Sequence, residues 1–260
     1  ELLLFLQDNH PNHSLISFSA IPEKSDLNRY ITTSEIIRSL YGIHVLNGWQ
    51  MTHSIPLPST FEEYLNQFSS KKKFNIKRQI RLLKEHFNEE LILTRIESTE
   101  QVPVLTKAIQ HVTPADTVNK ILSDIEILGL ARNKLLLSFV LFSGEKPIAV
   151  VLSTRFGKIL NIHNIFYEKN LSNMSVGASA LHLTIQNLID SLEFSLIDLG
   201  FSNPTFNHQS SNLIDTRGNL FVYKKTLSNR ILFFTHAKNA ALGRKCKENS
   251  THNTKLFEII

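Results

Sequence analysis

The sequence holds one cysteine, Cys246. A single thiol forms no internal disulfide and builds no cysteine-rich metal site. That usage fits a reducing cytoplasm. No apolar run approaches the roughly 20 residues that cross a bilayer. The opening ELLLFLQ is too short for a signal peptide and lacks a basic flank and a cleavage site. There is no initiating methionine either: the chain begins inside an apolar segment that reads as the end of a helix, so a missing upstream part is expected. The eleven histidines include no HxxxH or HExxH pair, and no metal is expected. GxSxG and Walker-type loops are also missing. Cysteine-nucleophile chemistry is not expected from a thiol in a basic tail.

What remains is a globular composition, 42% hydrophobic and 20% charged over 260 residues. That length buries the core of one large domain or two small ones. The net charge of +5 is unevenly spread. Seven Lys or Arg and no acid fall between Lys71 and Lys84, and Lys238, Arg244, Lys245 and Lys247 crowd the tail. A local excess argues less for nucleic acid than a uniformly basic domain does.

Strand and helix signals alternate. Strands are predicted at 14–20, 42–58, 90–97, 195–201 and 220–227, and helices at 26–40, 60–87, 99–111, 117–131 and 175–192. The second helix is expected to break near Ser69-Ser70. Between residues 135 and 168 lies a three-strand meander, LLLSFVLF, PIAVVLSTRF and ILNIHNIFYE, with Gly144 and Gly157 at its turns. Residues past 236 read as poorly structured. A meander followed by helix, strand, loop and strand is a mixed α/β order, not the regular alternation of a doubly wound sheet.

Three places carry candidate chemistry. In ILNIHNIFYE, strict alternation would put Ile159, Asn161, His163, Ile165 and Tyr167 on one face and Leu160, Ile162, Asn164 and Phe166 on the other. The first face offers His163 as a general base and Tyr167 as a general acid. The plainer reading is a hydrogen-bonded core histidine and a strand-end aromatic. Ser175, Val176, Gly177 and Ala178 form a small-residue helix start after a strand. Its free N–H groups would face an anion, with Gly177 and Ala178 allowing close approach of a pyrophosphate. Against that stands a purely capping role. Asp198, before Gly200 at a strand end, either contacts a substrate amine or hydroxyl or caps the next turn. Asn207 and His208 lie in the polar loop beyond, and spacing alone does not make them ligands.

The order of these pieces resembles the GNAT acyltransferase superfamily. More closely, it is similar to the cellulose-biosynthesis-type acetyltransferase branch, related to Fem-type peptidyltransferases. The resemblance spans Ser14 to Leu227. It rests first on LPSTFEEYLNQFSSKKKFNIKRQIRLL, with Phe61, Tyr64, Leu65, Ser70, Lys73, Asn75, Lys77, Arg78 and Leu82 in the family pattern. It rests further on LSFVLFSGEKPIAVVLS, HNIFYEKNLSNMSVGASALHLTIQNLI, SLIDLGF and LFVYKKTL. Ser-Val-Gly departs from the longer Gly-rich pyrophosphate loop of many GNATs, and Fem-type relatives use aminoacyl-tRNA.

The resemblance implies a GNAT-like α/β (α+β) fold with a mixed, mostly antiparallel sheet flanked by helices. Residues 1–58 would be the remnant of an N-terminal GNAT-like half, 59–236 the acyltransferase domain, and 237–260 a basic flexible tail. It implies direct acyl transfer from acyl-CoA or acetyl-CoA to an amine or hydroxyl of a sugar, lipid or peptide, as in polysaccharide biosynthesis. His163 would act as base, Tyr167 as acid and Asp198 as acceptor contact, with Ser175–Ala178 holding donor phosphate. Lys73, Lys77, Arg78 and Arg81 would steer the anionic donor or acceptor. Two alternatives stay open: a non-catalytic scaffold binding an acidic partner through residues 71–84, or an aminoacyl-tRNA-dependent Fem-type transferase. In either case the basic helix must pack, because Ile76, Ile80, Leu83 and Phe87 form an apolar stripe beside its cations. Peripheral membrane contact is compatible with the sequence.

Overall fold

The computed structural model describes residues 5, 9, 13–88, 90–113, 123–201 and 213–235. The loop with Asn207 and His208 and the basic tail lie outside these residues. The chain divides into two compact units: residues 1–52 with 215–260, and residues 53–214.

The second unit is built on the meander. Strands β4 (Ser138–Ser143), β5 (Lys146–Phe156) and β6 (Ile159–Tyr167) pair antiparallel. Gly144 and Gly157 both take φ of +56°, the left-handed conformation their turns need. Strand β3 (Leu91–Ile96) adds antiparallel to β4, and β7 (Leu196–Phe201) adds parallel to β6. With the end of β2 (Tyr41–Pro56), the order in this unit is β2-β7-β6-β5-β4-β3. This mixed, mostly antiparallel sheet is the fold class expected from the sequence.

Both faces of the sheet are covered, so its central strands are apolar on both sides. One face carries α3 (Phe61–Asn66), α4 (Ser70–His86) and α7 (Val176–Ser191), packed on Phe139, Val151 and Leu160. The other carries α5 (Val102–Val112) and α6 (Asp124–Arg132), packed on Val140, Val150 and Leu152. The break predicted at Ser69-Ser70 is present: Ser69 caps α4 by accepting from the Lys72 N–H. Thr60 caps α3 in the same way, with Glu62 and Glu63 in the first turn. Ile76 and Leu83 of α4 are buried, with Ile80 and Phe87 packed beside them, which is the stripe read from the sequence.

The strict alternation expected for β6 does not hold. Leu152 pairs with Asn164 but Ser153 pairs with Ile162, so His163 is an extra residue in a β-bulge. Each face assignment beyond the bulge is therefore reversed. Ile165 packs with Leu160 and Ile162 on the α7 side, while Phe166 joins the α5–α6 side.

In the first unit, β1 (Leu15–Pro22) pairs antiparallel with β8 (Leu213–Lys224), from Leu15 against Tyr223 to Pro22 against Arg217. The order there is β1-β8-β2. The single helix predicted at 26–40 is two, α1 (Asp26–Thr33) and α2 (Glu35–Leu40). Ser34 separates them: its backbone N–H closes α1 on the Tyr30 carbonyl, and its hydroxyl caps α2 at Ile37. A last helix, α8, covers residues 227–235. Among the described residues, no helix is long and apolar enough to cross a membrane.

Candidate functional site

The parallel pairing of β6 with β7 is short. It runs from Ile159 against Leu196 to Asn161 against Asp198, and among the described residues no further pairing follows. Both strands continue, β6 to Tyr167 and β7 to Phe201, so they part. Into this opening comes the N-terminus of α7. The result is a cavity of about 530 Å³, lined on β6 by Ile162, His163, Asn164, Ile165 and Tyr167, on α7 by Ser175–Ala178, and on β7 by Leu199 and Phe201.

The α7 N-terminus is open to a ligand. Ser175 has a left-handed φ of 55° and makes no side-chain cap bond. Its hydroxyl instead accepts from Gln79 Nε2 of α4 at 3.1 Å. The capping role weighed for Ser175 is thus not what its side chain does. The first-turn N–H groups keep their positive potential toward the cavity. Gly177 is small for a further reason. A Cβ there would lie 2.8 Å from Cδ1 of Tyr167, so the glycine makes room for that ring.

The bulge brings His163 against β5. His163 Nε2 is hydrogen-bonded to Thr154 Oγ1 of β5 at 2.8 Å. Besides the first cavity, His163 lines a second of about 480 Å³, walled by Glu126, Gly129, Leu130 and Asn133 of α6 with Leu135 and Thr154. The imidazole therefore stands where two cavities on the two sides of the sheet meet. Burial lowers its pKa, and the charge of Asp198 partly opposes the shift. A neutral imidazole at pH 7 can accept a proton. Asp198 does not line either cavity. It is buried, and its Oδ1 accepts from the Gly200 N–H at 2.8 Å, within the stretch of β7 where Gly200 has φ of +69°.

The cations of α4 are largely engaged. Lys73 and Lys77 both pair with Glu62 of α3, and Arg81 lies 3.5 Å from Glu85. Lys72 sits over the Phe68 ring at 3.9 Å. Arg78 is exposed and has no ion pair among the described residues. Behind the site, the buried Tyr64 hydroxyl meets His182 Nδ1 of α7 at 3.2 Å. Burial, with the Lys72 charge nearby, pushes His182 down to about 4. Among the described residues, no group of three or more His, Cys, Asp or Glu could hold a metal ion.

Sequence reasoning missed Gln79 and Thr154. Gln79 had one signal, a polar residue three positions after Ile76 on the flank of the apolar stripe. Thr154 had none, since its link to His163 depends on the β5–β6 register.

No protein-family model matches the chain, and no curated protein matches it. Solved structures do. FemX superposes with a TM-score of 0.60 at 10% identity, over 89% of this chain and 77% of that one. The C-terminal domain of a protein from Agrobacterium fabrum assigned as a lysylphosphatidylglycerol synthetase gives 0.58 at 13%, over 91% and 76%. L-PGS from Bacillus licheniformis gives 0.54 at 14%, over 90% and 76%. The chain thus has a GNAT-like fold of the Fem type. Nothing in these likenesses singles out the cellulose-biosynthesis-type branch.

Proposed function

We propose that this chain is a GNAT-type transferase that moves an acyl or aminoacyl group directly from donor to acceptor. The observation that carries the reading is the parting of β6 from β7 in front of the uncapped α7 N-terminus. Such an opening exposes strand N–H groups where a donor carbonyl can lie, with a positive helix end for the donor's phosphates. The likeness to FemX and to an assigned lysylphosphatidylglycerol synthetase supports it, since that name speaks of an aminoacylated lipid.

In this reading the donor carbonyl sits beside β6 in the α7-side cavity, and the acceptor enters from the α6 side. His163 lies between them and takes a proton from the acceptor amine or hydroxyl. The new C–N or C–O bond forms as the donor C–S or C–O bond breaks. Tyr167 returns a proton to the leaving sulfur or oxygen. Asp198 acts through His163 by raising its basicity rather than by touching the acceptor. Val176–Ala178 face donor phosphate, and Ser175 sets their geometry with Gln79. Among Lys73, Lys77, Arg78 and Arg81, Arg78 is left to steer an anion, because Lys73 and Lys77 share Glu62 and Arg81 lies beside Glu85. Residues 1–58 remain in this reading part of an N-terminal GNAT-like half. We place the reaction in the cytoplasm, where both donor classes occur.

The donor is acyl-CoA or aminoacyl-tRNA. The second is favoured by the Ser-Val-Gly helix start, whose glycine is taken up by Tyr167 and leaves no Gly-rich cradle for a pyrophosphate. Thermal unfolding with acetyl-CoA, long-chain acyl-CoA and charged tRNA tests both. A donor at ten times its Kd adds about 1.4 kcal/mol of stability. Stabilisation by charged but not uncharged tRNA selects the aminoacyl donor. No stabilisation by any of the three removes the transferase reading and leaves the scaffold alternative.

A further inference from the structure

The wall that α6 gives to the second cavity is long and has two unlike ends. Glu126, Gly129, Leu130 and Asn133 line it at positions i, i+3, i+4 and i+7, the spacing of one helical stripe. From Glu126 to Asn133 the helix rises about 10 Å. Beyond Asn133 the chain runs straight into β5. The Arg155 N–H donates to the Leu135 carbonyl at 2.8 Å, and Leu136 pairs with Thr154. Thr154 in turn holds His163 at 2.8 Å. The imidazole therefore belongs to the Asn133 end, and the Glu126 carboxylate stands at the other, about two turns away.

Gly129 lies between the ends. It is half-buried inside α6, where glycine is a poorer helix former than alanine. It is not among the residues with positive φ. A Cβ there would meet nothing within 4 Å among the described residues. Neither backbone conformation nor packing calls for a glycine at this position. What a side chain would take up is cavity space, bounded further by Leu130 and Leu135.

The charge on the wall has one sign. Glu126 is the one carboxylate lining the cavity among the described residues, and no Lys or Arg lines it. Its Oε2 is engaged in the helix cap, accepting from the Ser123 N–H at 2.7 Å and from the Ser123 hydroxyl at 2.8 Å. Those bonds hold its pKa below the usual carboxylate range, so the group is ionised at neutral pH. The cap leaves Oε1 for a ligand.

We propose that this cavity takes an elongated acceptor, a linear aliphatic molecule whose reacting amine or hydroxyl lies at His163 and whose far end carries a positive charge held by Glu126, about 10 Å away. The inference deepens the transfer reading and rests on it in calling the ligand an acceptor.

Three small molecules test it, with the His163 imidazole signal in the NMR spectrum of the whole chain as the readout. They are 6-amino-1-hexanol, 1,6-hexanediol, which has the same length and no charge, and 3-amino-1-propanol, which is charged and too short to span the wall. The long amino alcohol should shift the His163 signal and bind at least ~10-fold tighter than either of the others, the size of one charge-assisted hydrogen bond. Glu126→Gln keeps an oxygen for the Ser123 cap and removes the charge. It should weaken the long amino alcohol at least ~10-fold and leave the diol unchanged. Gly129→Leu should abolish the shift while Tm stays level or rises, because leucine is the better helix former. No shift with the long amino alcohol, equal binding by the diol or by the short amino alcohol, undiminished binding in Glu126→Gln, or a retained shift in Gly129→Leu each overturns the inference. Donor stabilisation is measured separately. A chain that binds the long amino alcohol and no donor overturns the transfer reading and keeps the site. A chain that binds donor and not the amino alcohol overturns the site alone.

Discussion

The Tyr167 ring lies directly over Gly177, where a Cβ would come within 2.8 Å of Cδ1 and 3.0 Å of Cε1. This contact joins the end of β6 to the first turn of α7, the two walls of the cavity. Gly177→Ala must push the ring or the helix aside. The expected cost is about 1–3 kcal/mol, typical of overpacking, read from the denaturant midpoint. Donor binding should weaken too, because the α7 N-terminus moves with it. Unchanged stability and unchanged binding would show that Tyr167 yields freely and does not set the helix position.

His163 and Asp198 are coupled by charge across the short β6–β7 ladder. Burial lowers the His163 pKa and Asp198 raises it. Removing the carboxylate charge in Asp198→Asn should therefore lower the His163 pKa further. If His163 is the base, the acid limb of the transfer rate should move to lower pH in this variant. His163→Ala should cut the rate at least ~10-fold with the fold intact. NMR titration of the imidazole reads the coupling without any substrate. An upward shift in Asp198→Asn would contradict the arrangement.

Much of this was legible from one sequence, and the rest has physical causes. Helix and strand order follows from periodicity, and the Ser69 break follows from its capping chemistry. The stretches around 159–167 and 175–178 were read as separate candidates, and the fold brings them to one cavity. The bulge at His163 was not legible, because one inserted residue flips faces without needing a glycine or proline as a marker. The same slip hid the Thr154 contact. Ser34 looked like a helix-interior residue, yet its hydroxyl competes for backbone N–H groups and splits the helix. Gln79 with Ser175, and Tyr167 with Gly177, are tertiary pairs that no local pattern encodes.

His182 makes stability depend on pH in a definite direction. Its pKa falls from an ordinary 6.5 to about 4 in the folded state, through burial first and the Lys72 charge second. The unfolded chain therefore binds the proton more readily. Stability is whole above pH 6.5 and declines as pH drops toward 4. The loss approaches roughly 3 kcal/mol once His182 is protonated in both states. Carboxylates also titrate there, so the comparison is with His182→Gln, whose decline between pH 6.5 and 4 should be shallower. Parallel curves for the two proteins would remove His182 as the cause.

Gln79 is expected to matter out of proportion to its place on α4. Its amide donates to Ser175 Oγ at 3.1 Å and keeps that hydroxyl from turning back onto the α7 amides. Gln79→Ala removes one half-buried hydrogen bond, worth about 0.5–1.5 kcal/mol. It also frees Ser175 to cap its own helix. A capping hydroxyl would occupy an N–H that the proposed donor phosphate needs, so binding should fall more than stability does. Ser175→Ala provides the separating control. It loses the same bond but supplies no competing hydroxyl, so its donor affinity should exceed that of Gln79→Ala. Equal affinities in the two variants would mean that Gln79 is only a packing contact between α4 and α7.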